Sequence, residues 1–339
     1  MAQSTPSVPN TAADDPAPAA DAAGGLRRRL SVVGQDLGLV AVLILLVVVF
    51  SIASPHFLNL SNLTNVLRSV SIIGTMAAIM TLVLVAGALD LSIGSIAALS
   101  GVVSAMAIGS GVTPFAGFGL ALLVGVASGA VNGFAVVVLR INPIIVTIGT
   151  LAMFRGIVYV ISNGRDTAVE DPVSESLAFD RWLFLPVPVW VMLAVFALTW
   201  LVSSRTVVGR SIYAVGANPR AARLSGVPVS RARFIVLVAS GLGAAIAGIL
   251  LSAQAGAATP SAATGYELQV LTAVLIGGAS LTGGAGRVPM TLVGVLIIGV
   301  INNGMTLLAV PSYYQQVASG ALLVIAVAID QVRRRTGYR

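Results

Sequence analysis

The sequence has no cysteine, no lysine and a single histidine, and only 9% of its 339 residues are charged. The absence of cysteine excludes disulfides, thiol catalysis, iron–sulfur clusters and cysteine-ligated zinc. One histidine, His56, excludes metal sites built from several histidines. Because all 19 basic residues are arginine, the phosphate-binding lysine of a Walker A loop cannot exist, so this chain cannot power itself with ATP.

The scarcity of charge also excludes a soluble enzyme core. An ordinary soluble domain carries about 25% charged residues, whereas this chain is 57% hydrophobic and has a mean hydropathy of +0.99. Apolar runs recur from Leu37 to Ile329 and are near the roughly 20 residues that cross a bilayer as a helix. The sequence therefore predicts an all-α polytopic membrane protein.

The apolar runs predict about ten transmembrane helices. We place them at 37–53, 69–88, 91–110, 115–139, 143–162, 186–202, 234–256, 267–283, 288–309 and 317–330. Eight spans with two re-entrant segments fit the same pattern. The first run also fits a signal peptide cleaved after Ala53, but a retained span is favoured because a long tail precedes it and no soluble domain follows.

The distribution of charge predicts the orientation in the membrane. Fifteen of the 19 arginines fall on one side, in the tail, at Arg140, in the loop 203–233, at Arg287 and at the C-terminus. The loop 163–185 on the other side carries five acidic residues against two arginines. Basic residues flank spans on the cytoplasmic side, so both termini are expected in the cytoplasm. The net charge of +7 therefore indicates orientation and not nucleic-acid binding.

Three regions follow from this pattern. Residues 1–35 are predicted as a disordered cytoplasmic tail, because their first 25 are rich in Ala, Pro, Ser and Asp and have no apolar periodicity. Residues 36–332 are predicted as the transmembrane domain, including the cytoplasmic loop 203–233. Residues 333–339 form a basic cytoplasmic C-terminus.

Ionisable residues at membrane depth are costly and therefore informative. Asp90 lies in the small-residue segment Gly87–Gly94 between two apolar runs, where it serves as the N-cap of the following helix or lines a translocation path. Arg155 and Glu267 are interpreted as interfacial residues or as a structural ion pair. None of the three alone identifies a substrate.

Uncharged polar residues inside spans are the second group of candidates. They are Asn132, Asn142, Thr147, Gln254, Gln269, Asn302 and Asn303. Such groups hydrogen-bond a neighbouring helix or the hydroxyls of a small solute in a water-filled path. A helix break or span entry is predicted at Asn142-Pro143, because Pro disfavours a helical conformation in the residue before it.

The loop 203–233 contains the most specific pattern. Asn218 is predicted to cap a short helix that begins at Pro219 and ends at Gly226. A plain topogenic loop needs only positive charge, whereas this one adds a cap, a small Ala221-Ala222 face and a stop. That face is suited to docking into a groove of another protein.

A weak internal repeat is also present. Val83–Ala88 reads VLVAGA and Val274–Ala279 reads VLIGGA, with four identities among small apolar residues.

The loop resembles the coupling segment of ABC importer permeases, in which Glu-Ala-Ala is followed after three residues by Gly. Ala221, Ala222 and Gly226 keep this spacing, and Arg220 replaces the acidic residue. Four segments in order resemble the ribose/xylose/arabinose class of these permeases. They are Gly87–Ser95, Asn142–Thr150, Ala214–Asn218 and Leu275–Ser280 with Gly283-Gly284. The resemblance covers about residues 37 to 332.

This resemblance implies a transport subunit that is not an enzyme, in the cytoplasmic (inner) membrane of a bacterium. It implies a second permease copy, an extracytoplasmic sugar-binding protein, and a cytoplasmic ATPase with two nucleotide-binding halves that holds ATP and Mg, so that this chain binds no cofactor. Asp90, Ser92, Asn142, Thr147 and Asn302 are the expected path residues. The expected coupling residues are Asn218, Arg220, Ala221, Ala222 and Gly226.

Three alternatives stay open. The first is an ABC permease for another small solute, such as a branched-chain amino acid, a nucleoside or a signalling sugar. The second is an ion-coupled secondary transporter, with Asp90, Arg155 and Glu267 as coupling groups. The third is a structural membrane scaffold.

Overall fold

The computed structural model describes residues 19–335, which form helices joined by short segments. The helices are α1 (Ala19–Ala53), α2 (Leu60–Val85), α3 (Ile93–Gly109), α4 (Pro114–Val137), α5 (Pro143–Ser162), α6 (Pro172–Phe179), α7 (Val187–Arg205), α8 (Val207–Ala217), α9 (Pro219–Leu224), α10 (Val229–Ala255), α11 (Tyr266–Ile276), α12 (Val288–Leu307) and α13 (Ser312–Arg335). Four two-residue strands pair as two antiparallel ribbons, β1 (Thr167–Ala168) with β4 (Ala257–Ala258) and β2 (Arg181–Trp182) with β3 (Leu185–Pro186).

Eight of these helices are long and apolar enough to cross a membrane: α1 from Asp36 onward, α2, α4, α5, α7, α10, α12 and α13. The predicted spans 91–110 and 267–283 correspond to the shorter helices α3 and α11, of 17 and 11 residues. The all-α polytopic class is confirmed. By length, the described residues match eight spans with two shorter segments better than ten full spans.

The N-terminal helix extends further back than expected. It begins at Ala19, within the segment 1–35 predicted as a disordered tail. Residues 1–18 of that tail and residues 336–339 of the predicted basic C-terminus lie outside the described residues.

The helices divide into an inner and an outer group. In α2 and α10, 83% and 61% of an 18-residue apolar stretch is buried inside the protein. The corresponding shares in α1 and α13 are 0% and 6%. The inner helix α10 packs against α4, α3 and α2, and α2 packs in turn against α7 and α12. The rest of the chain therefore leaves most of the apolar surface of the outer helices uncovered.

Close packing among the inner helices depends on glycine. A Cβ atom on Gly241 of α10 would overlap the carbonyl oxygen of Gly125 of α4, and a Cβ on Gly125 would overlap that of Gly241. In lipid, apolar burial does not drive helices together, so close backbone approach and its dispersion contacts carry the association. This explains the dense small residues of the predicted spans.

We expect Gly241→Ala to destabilise the protein by about 1–3 kcal/mol, because the added methyl group must separate α4 from α10. The control is Gly156→Ala on α5, where a Cβ would meet no atom within 4 Å. Thermal unfolding of the purified protein in detergent measures the effect. Equal midpoints for the two variants would show that the contact does not hold the helices.

Candidate functional site

The first feature of the site is a non-helical segment between α2 and α3. Helix α2 ends at Val85, and the chain turns through Gly87, whose φ is 69°. Gly87 N donates to Leu84 O (2.8 Å) and Ala88 N to Val83 O (3.1 Å). This pair of bonds satisfies the last free carbonyl groups of the helix. Residues 86–92 then run without helical structure until α3 begins.

A matching segment lies between α11 and α12. Gly278 has a φ of 86°. Its N donates to Leu275 O (2.9 Å), and Ala279 N donates to Val274 O (3.1 Å). The weak repeat in the sequence therefore marks two helix ends closed by the same pair of hydrogen bonds.

The two non-helical segments meet each other and helix α8 at backbone level. Gly284 N donates to Val85 O (2.9 Å). A Cβ on Gly216 of α8 would overlap that same oxygen, and a Cβ on Gly283 would lie 2.9 Å from Gly87 Cα. We call these four residues, Gly87, Gly216, Gly283 and Gly284, the glycine junction. At Gly216 in particular, a side chain cannot enter without moving the neighbouring backbone.

Asp90 lies in the first non-helical segment and is fully buried. Its Oδ1 accepts hydrogen bonds from Ser92 N (3.0 Å) and Ser92 Oγ (2.6 Å), and Asn132 Nδ2 of α4 donates to Ser92 Oγ (2.8 Å). The other oxygen of the carboxylate, Oδ2, is buried and has no hydrogen-bond partner among the described residues. The N-cap of α3 is Ser92, and Asp90 holds that residue in place.

Thr147 connects α5 to the same segment. Its buried Oγ1 lies 2.9 Å from Pro143 O and 3.2 Å from Leu89 O, either of which accepts its hydrogen. Asn142, one turn earlier, caps α5 by accepting from Ile144 N (2.9 Å), which confirms the predicted break before Pro143.

Asn142 also lines a cavity of about 380 Å³ beside the first non-helical segment. Its walls are Leu84, Gly87, Ala88, Leu89, Asn142, Pro143, Ile144, Leu271 and Leu281. Asp90, Ser92, Asn142 and Thr147 thus lie in or beside the first non-helical segment.

Asn302 is placed elsewhere, near the start of α11, where its Nδ2 donates to Gln269 Oε1 (3.1 Å).

Arg155 of α5 supports a third non-helical segment, 259–265, which leads into α11. Its half-buried guanidinium donates through Nη1 to Pro260 O (2.6 Å) and Ala262 O (2.8 Å). Glu267, at the start of α11, accepts from Gly265 N (3.2 Å) and interacts electrostatically with Arg155. Non-helical backbone at membrane depth must be satisfied by protein or face a cavity, and these two residues satisfy it here.

Helices α8 and α9 form the predicted coupling segment. Asn218 Oδ1 accepts from Arg220 N and Ala221 N, each at 3.0 Å, and Pro219 is the first helical residue of α9. Gly226 closes the far end with a φ of 79°. The short helix predicted from the sequence is confirmed.

The faces of α9 differ from the expectation. Ala222 is buried against the protein, with 6% of its surface exposed, while Arg220 and Ala221 are exposed. The Ala221-Ala222 pair is therefore not a single docking face. Sequence reasoning missed Leu224, which is 85% exposed. The signal for it was a large apolar residue at the end of a short helix that carries two arginines.

Tyr213 ties α8 to the second non-helical segment. Its hydroxyl donates to Gly286 O at 2.7 Å. Burial raises the pKa of the Tyr213 phenol, so the group stays protonated and remains a donor. A hydrogen bond and the glycine junction therefore both connect α8 to residues 277–287.

We expect Arg155→Gln to loosen the segment 259–265, because two charge-assisted hydrogen bonds to its carbonyl oxygens are lost. Hydrogen exchange of the amides in this segment should rise about tenfold, since tenfold corresponds to about 1.4 kcal/mol. Arg165→Gln, at an exposed position, is the control. Unchanged exchange in the Arg155 variant would contradict this role.

Eight helices that are long and apolar enough to cross a membrane, with non-helical segments beside the shorter helices α3 and α11, define a multi-pass membrane protein. Residues 62–327 match the family described as "Branched-chain amino acid transport system / permease component". The chain belongs to this permease family.

Individual relatives match over nearly the whole chain. The ribose import permease protein RbsC of Escherichia coli (strain K12) is 40% identical over 306 residues, covering 88% of this chain and 94% of the relative. RbsC of Bacillus subtilis (strain 168) is 40% identical over 299 residues, 88% and 93% of the two chains.

A third relative carries a different sugar in its name. The L-arabinose ABC transporter permease protein AraH of Azospirillum brasilense is 37% identical over 297 residues, 88% of each chain. No solved structure matches the chain significantly. The resemblance to monosaccharide-class ABC importer permeases, stated from four sequence segments, is confirmed.

Proposed function

We propose that this chain is the membrane permease subunit of an ABC importer that carries a monosaccharide of the ribose or L-arabinose type into the cytoplasm. Relatives named for these two sugars match 88% of the chain at 37–40% identity. The family description names branched-chain amino acids. The sugar assignment is favoured because the individual relatives that match 88% of the chain are named for sugars.

The observation that carries the proposal is the glycine junction, because it links a candidate ATPase contact to the helix breaks. Leu224 and the exposed side of α9 form the contact for a partner, and α8 ends directly before Asn218, the N-cap of α9. Gly216 of α8 touches Val85 O and Gly284 N. A displacement of α8–α9 therefore moves both non-helical segments at once.

The energy for this displacement is supplied in trans. A chain without lysine has no Walker A loop, so we assign ATP and Mg to a separate cytoplasmic ATPase with two nucleotide-binding halves. The other partners are a second permease copy and an extracytoplasmic sugar-binding protein. Fifteen of the 19 arginines lie in loops and termini on one side of the predicted spans. This distribution supports cytoplasmic termini and a place in the bacterial inner membrane.

We assign three kinds of role to the predicted path residues. Asn142 lines the cavity beside the first non-helical segment. Asp90, Ser92 and Thr147 shape the path by fixing the backbone of that segment through their hydrogen bonds. Asn302 holds α12 to α11 through Gln269.

Uptake of radiolabelled ribose, arabinose, xylose and leucine tests the proposal in cells that express this chain with its binding-protein and ATPase partners. We expect uptake of one sugar that disappears when the Walker A lysine of the ATPase is replaced. Uptake that survives this replacement would contradict the ABC mechanism and favour gradient coupling. Uptake of leucine alone would overturn the sugar assignment.

The coupling role of α9 is tested separately with Leu224→Glu. Placing a carboxylate at an exposed apolar contact should lower the affinity for the ATPase about tenfold or more, because buried apolar anchors dominate such contacts. Leu224→Met keeps an apolar side chain and should assemble normally. Co-purification of the ATPase with each permease variant measures the effect, and equal assembly by both would remove Leu224 from the interface.

Two further substitutions, Ala222→Glu and Gly226→Pro, test how α9 is held against the rest of the protein. Ala222 is buried, so Ala222→Glu disturbs the seat of α9 and not only its outer face. Gly226→Pro removes an N–H that donates to Arg223 O (3.1 Å) and imposes a negative φ where 79° is required. We expect both variants to lose thermal stability as well as transport, whereas Leu224→Glu should keep the thermal midpoint of the wild type.

A further inference from the structure

The hairpin of β2 and β3, between α6 and α7, has a turn of unusual composition. Trp182 pairs with Leu185, so only Leu183 and Phe184 form the turn. Both residues have positive φ, 47° and 72°, as in a type I′ turn, which Asn-Gly or Asp-Gly normally provides. Large side chains adopt this backbone conformation only where the surrounding structure imposes it.

This turn holds three large apolar side chains away from the protein. Trp182, Leu183 and Phe184 are 62%, 79% and 95% exposed. An Asn-Gly turn would close the same hairpin with less strain and with no exposed apolar surface. A local rule that is broken for side chains with little contact inside the protein is typical of a functional surface. We call residues 182–184 the hairpin tip.

The base of the hairpin is fixed to two membrane-spanning helices. Trp190 of α7 donates through Nε1 to Trp182 O (2.8 Å). Arg68 of α2 donates through Nη2 to Phe179 O (3.2 Å), and its guanidinium lies over the Phe179 ring, 5.2 Å from the ring centre. The tip is therefore held in one position and needs little ordering when a partner binds, which favours affinity.

The hairpin lies at the ends of the inner helices. Strand β3 packs on α2, and the preceding helix α6 packs on α10 and α7. Helix α7 is long enough to cross a membrane and separates the hairpin from the arginine-rich loop 203–233. The tip therefore belongs to the side of the membrane opposite the candidate ATPase contact, close to the centre of the helix bundle.

The segment 163–185, which contains the tip, is acidic. Its exposed carboxylates outnumber its exposed guanidinium groups, with Asp166, Glu170, Glu175 and Asp180 against Arg165 and Arg181. A partner that fits this surface offers an apolar pocket for the tip and basic residues around that pocket, because complementary charges suppress wrong partners and speed association.

We propose that the hairpin tip is the anchor by which the extracytoplasmic sugar-binding protein docks on the permease, an assignment that rests on the proposed function. The side chains of Leu183 and Phe184 enter an apolar pocket of the binding protein. Large apolar side chains seated in such a pocket carry most of the affinity of a protein interface. The acidic segment 163–185 surrounds this anchor and meets basic residues of the partner.

Lipid and a second copy of the chain fit the tip less well. Asp180 lies two residues before the tip and Glu175 lies on α6, and both are exposed. At a membrane surface these carboxylates would meet the phosphate groups of lipid headgroups, which repel them. A symmetric contact places the same patch on itself, so two acidic segments would face each other. A basic partner meets neither repulsion.

Affinity for the sugar-binding protein tests the proposal. The full-length chain is reconstituted in nanodiscs with its ATPase, and the probe is the purified binding protein that supports sugar uptake. The double variant Leu183→Asn, Phe184→Gly carries the preferred residues of a type I′ turn, so it should keep or raise the thermal midpoint. We expect it to bind the probe about tenfold more weakly or worse, because the apolar anchors are lost. Binding equal to that of the wild type would overturn the proposal.

Two control variants separate the tip from other exposed apolar surface. Leu183→Met combined with Phe184→Leu keeps an apolar tip and should bind as the wild type does. Leu58→Asn, at a position 59% exposed in the turn between α1 and α2, should also bind normally. A loss of affinity in the Leu58 variant as large as that of the tip variant would show that the tip is not the anchor.

A single introduced cysteine shows what covers the tip, since the chain has none of its own. In right-side-out membrane vesicles, Arg181→Cys should react with a membrane-impermeant maleimide and should be protected when the sugar-binding protein is added. A cysteine that is unreactive beforehand is already covered by lipid or a second copy, which would overturn the proposal. Sugar uptake without this protection would overturn the tip assignment alone, whereas a wild type that neither binds the probe nor takes up sugar would overturn the proposed function as well.

Discussion

Contact of backbone against backbone, which only glycine permits, is the constraint on which this structure depends. In lipid, helices gain little from burying apolar side chains, so association requires close approach and satisfied polar groups. Gly125 and Gly241 allow that approach between α4 and α10. At the glycine junction the same constraint brings two helix ends and helix α8 into one contact, with Gly284 N donating to Val85 O.

The helix breaks bring a second requirement, because each frees backbone groups that water cannot satisfy inside a membrane. The side chains of Asp90 and Thr147 satisfy groups in the first segment, and Arg155 does so for the segment before α11. Two of the costly ionisable residues, Asp90 and Arg155, therefore hydrogen-bond irregular backbone.

Much of the architecture could be predicted from the sequence because the bilayer imposes one length and one polarity on every span. The caps at Asn142 and Asn218 were also predictable, since Asn before Pro has a local and well-defined effect. The short length of α3 and α11 was not predictable. The same run of apolar residues is compatible with a helix over its full length and with a helix over only part of it.

The candidate site shows the same division between local and tertiary information. The segments around Asp90 and Asn142 lie together, as the motif resemblance implied. The burial of Ala222, the exposure of Leu224 and the separation of Asn302 depend on how α9 and α12 pack, and no local pattern records that packing. Gly216 belongs to the segment Ala214–Asn218, which resembles the sugar permeases. Its close approach to Val85 O depends on the packing of elements that are far apart in the chain.

The most direct test of this account is ATP-driven sugar uptake by proteoliposomes that contain the permease, its ATPase and the sugar-loaded binding protein, with Gly216→Ala in the permease. Assembly with the ATPase is measured on the same samples, and Gly149→Ala, where a Cβ would meet no atom within 4 Å, is the control. We expect Gly216→Ala to assemble with the ATPase but to lose most uptake, while the control keeps both. Uptake at the wild-type rate by the Gly216 variant would contradict the claim that the glycine junction couples the ATPase to the path.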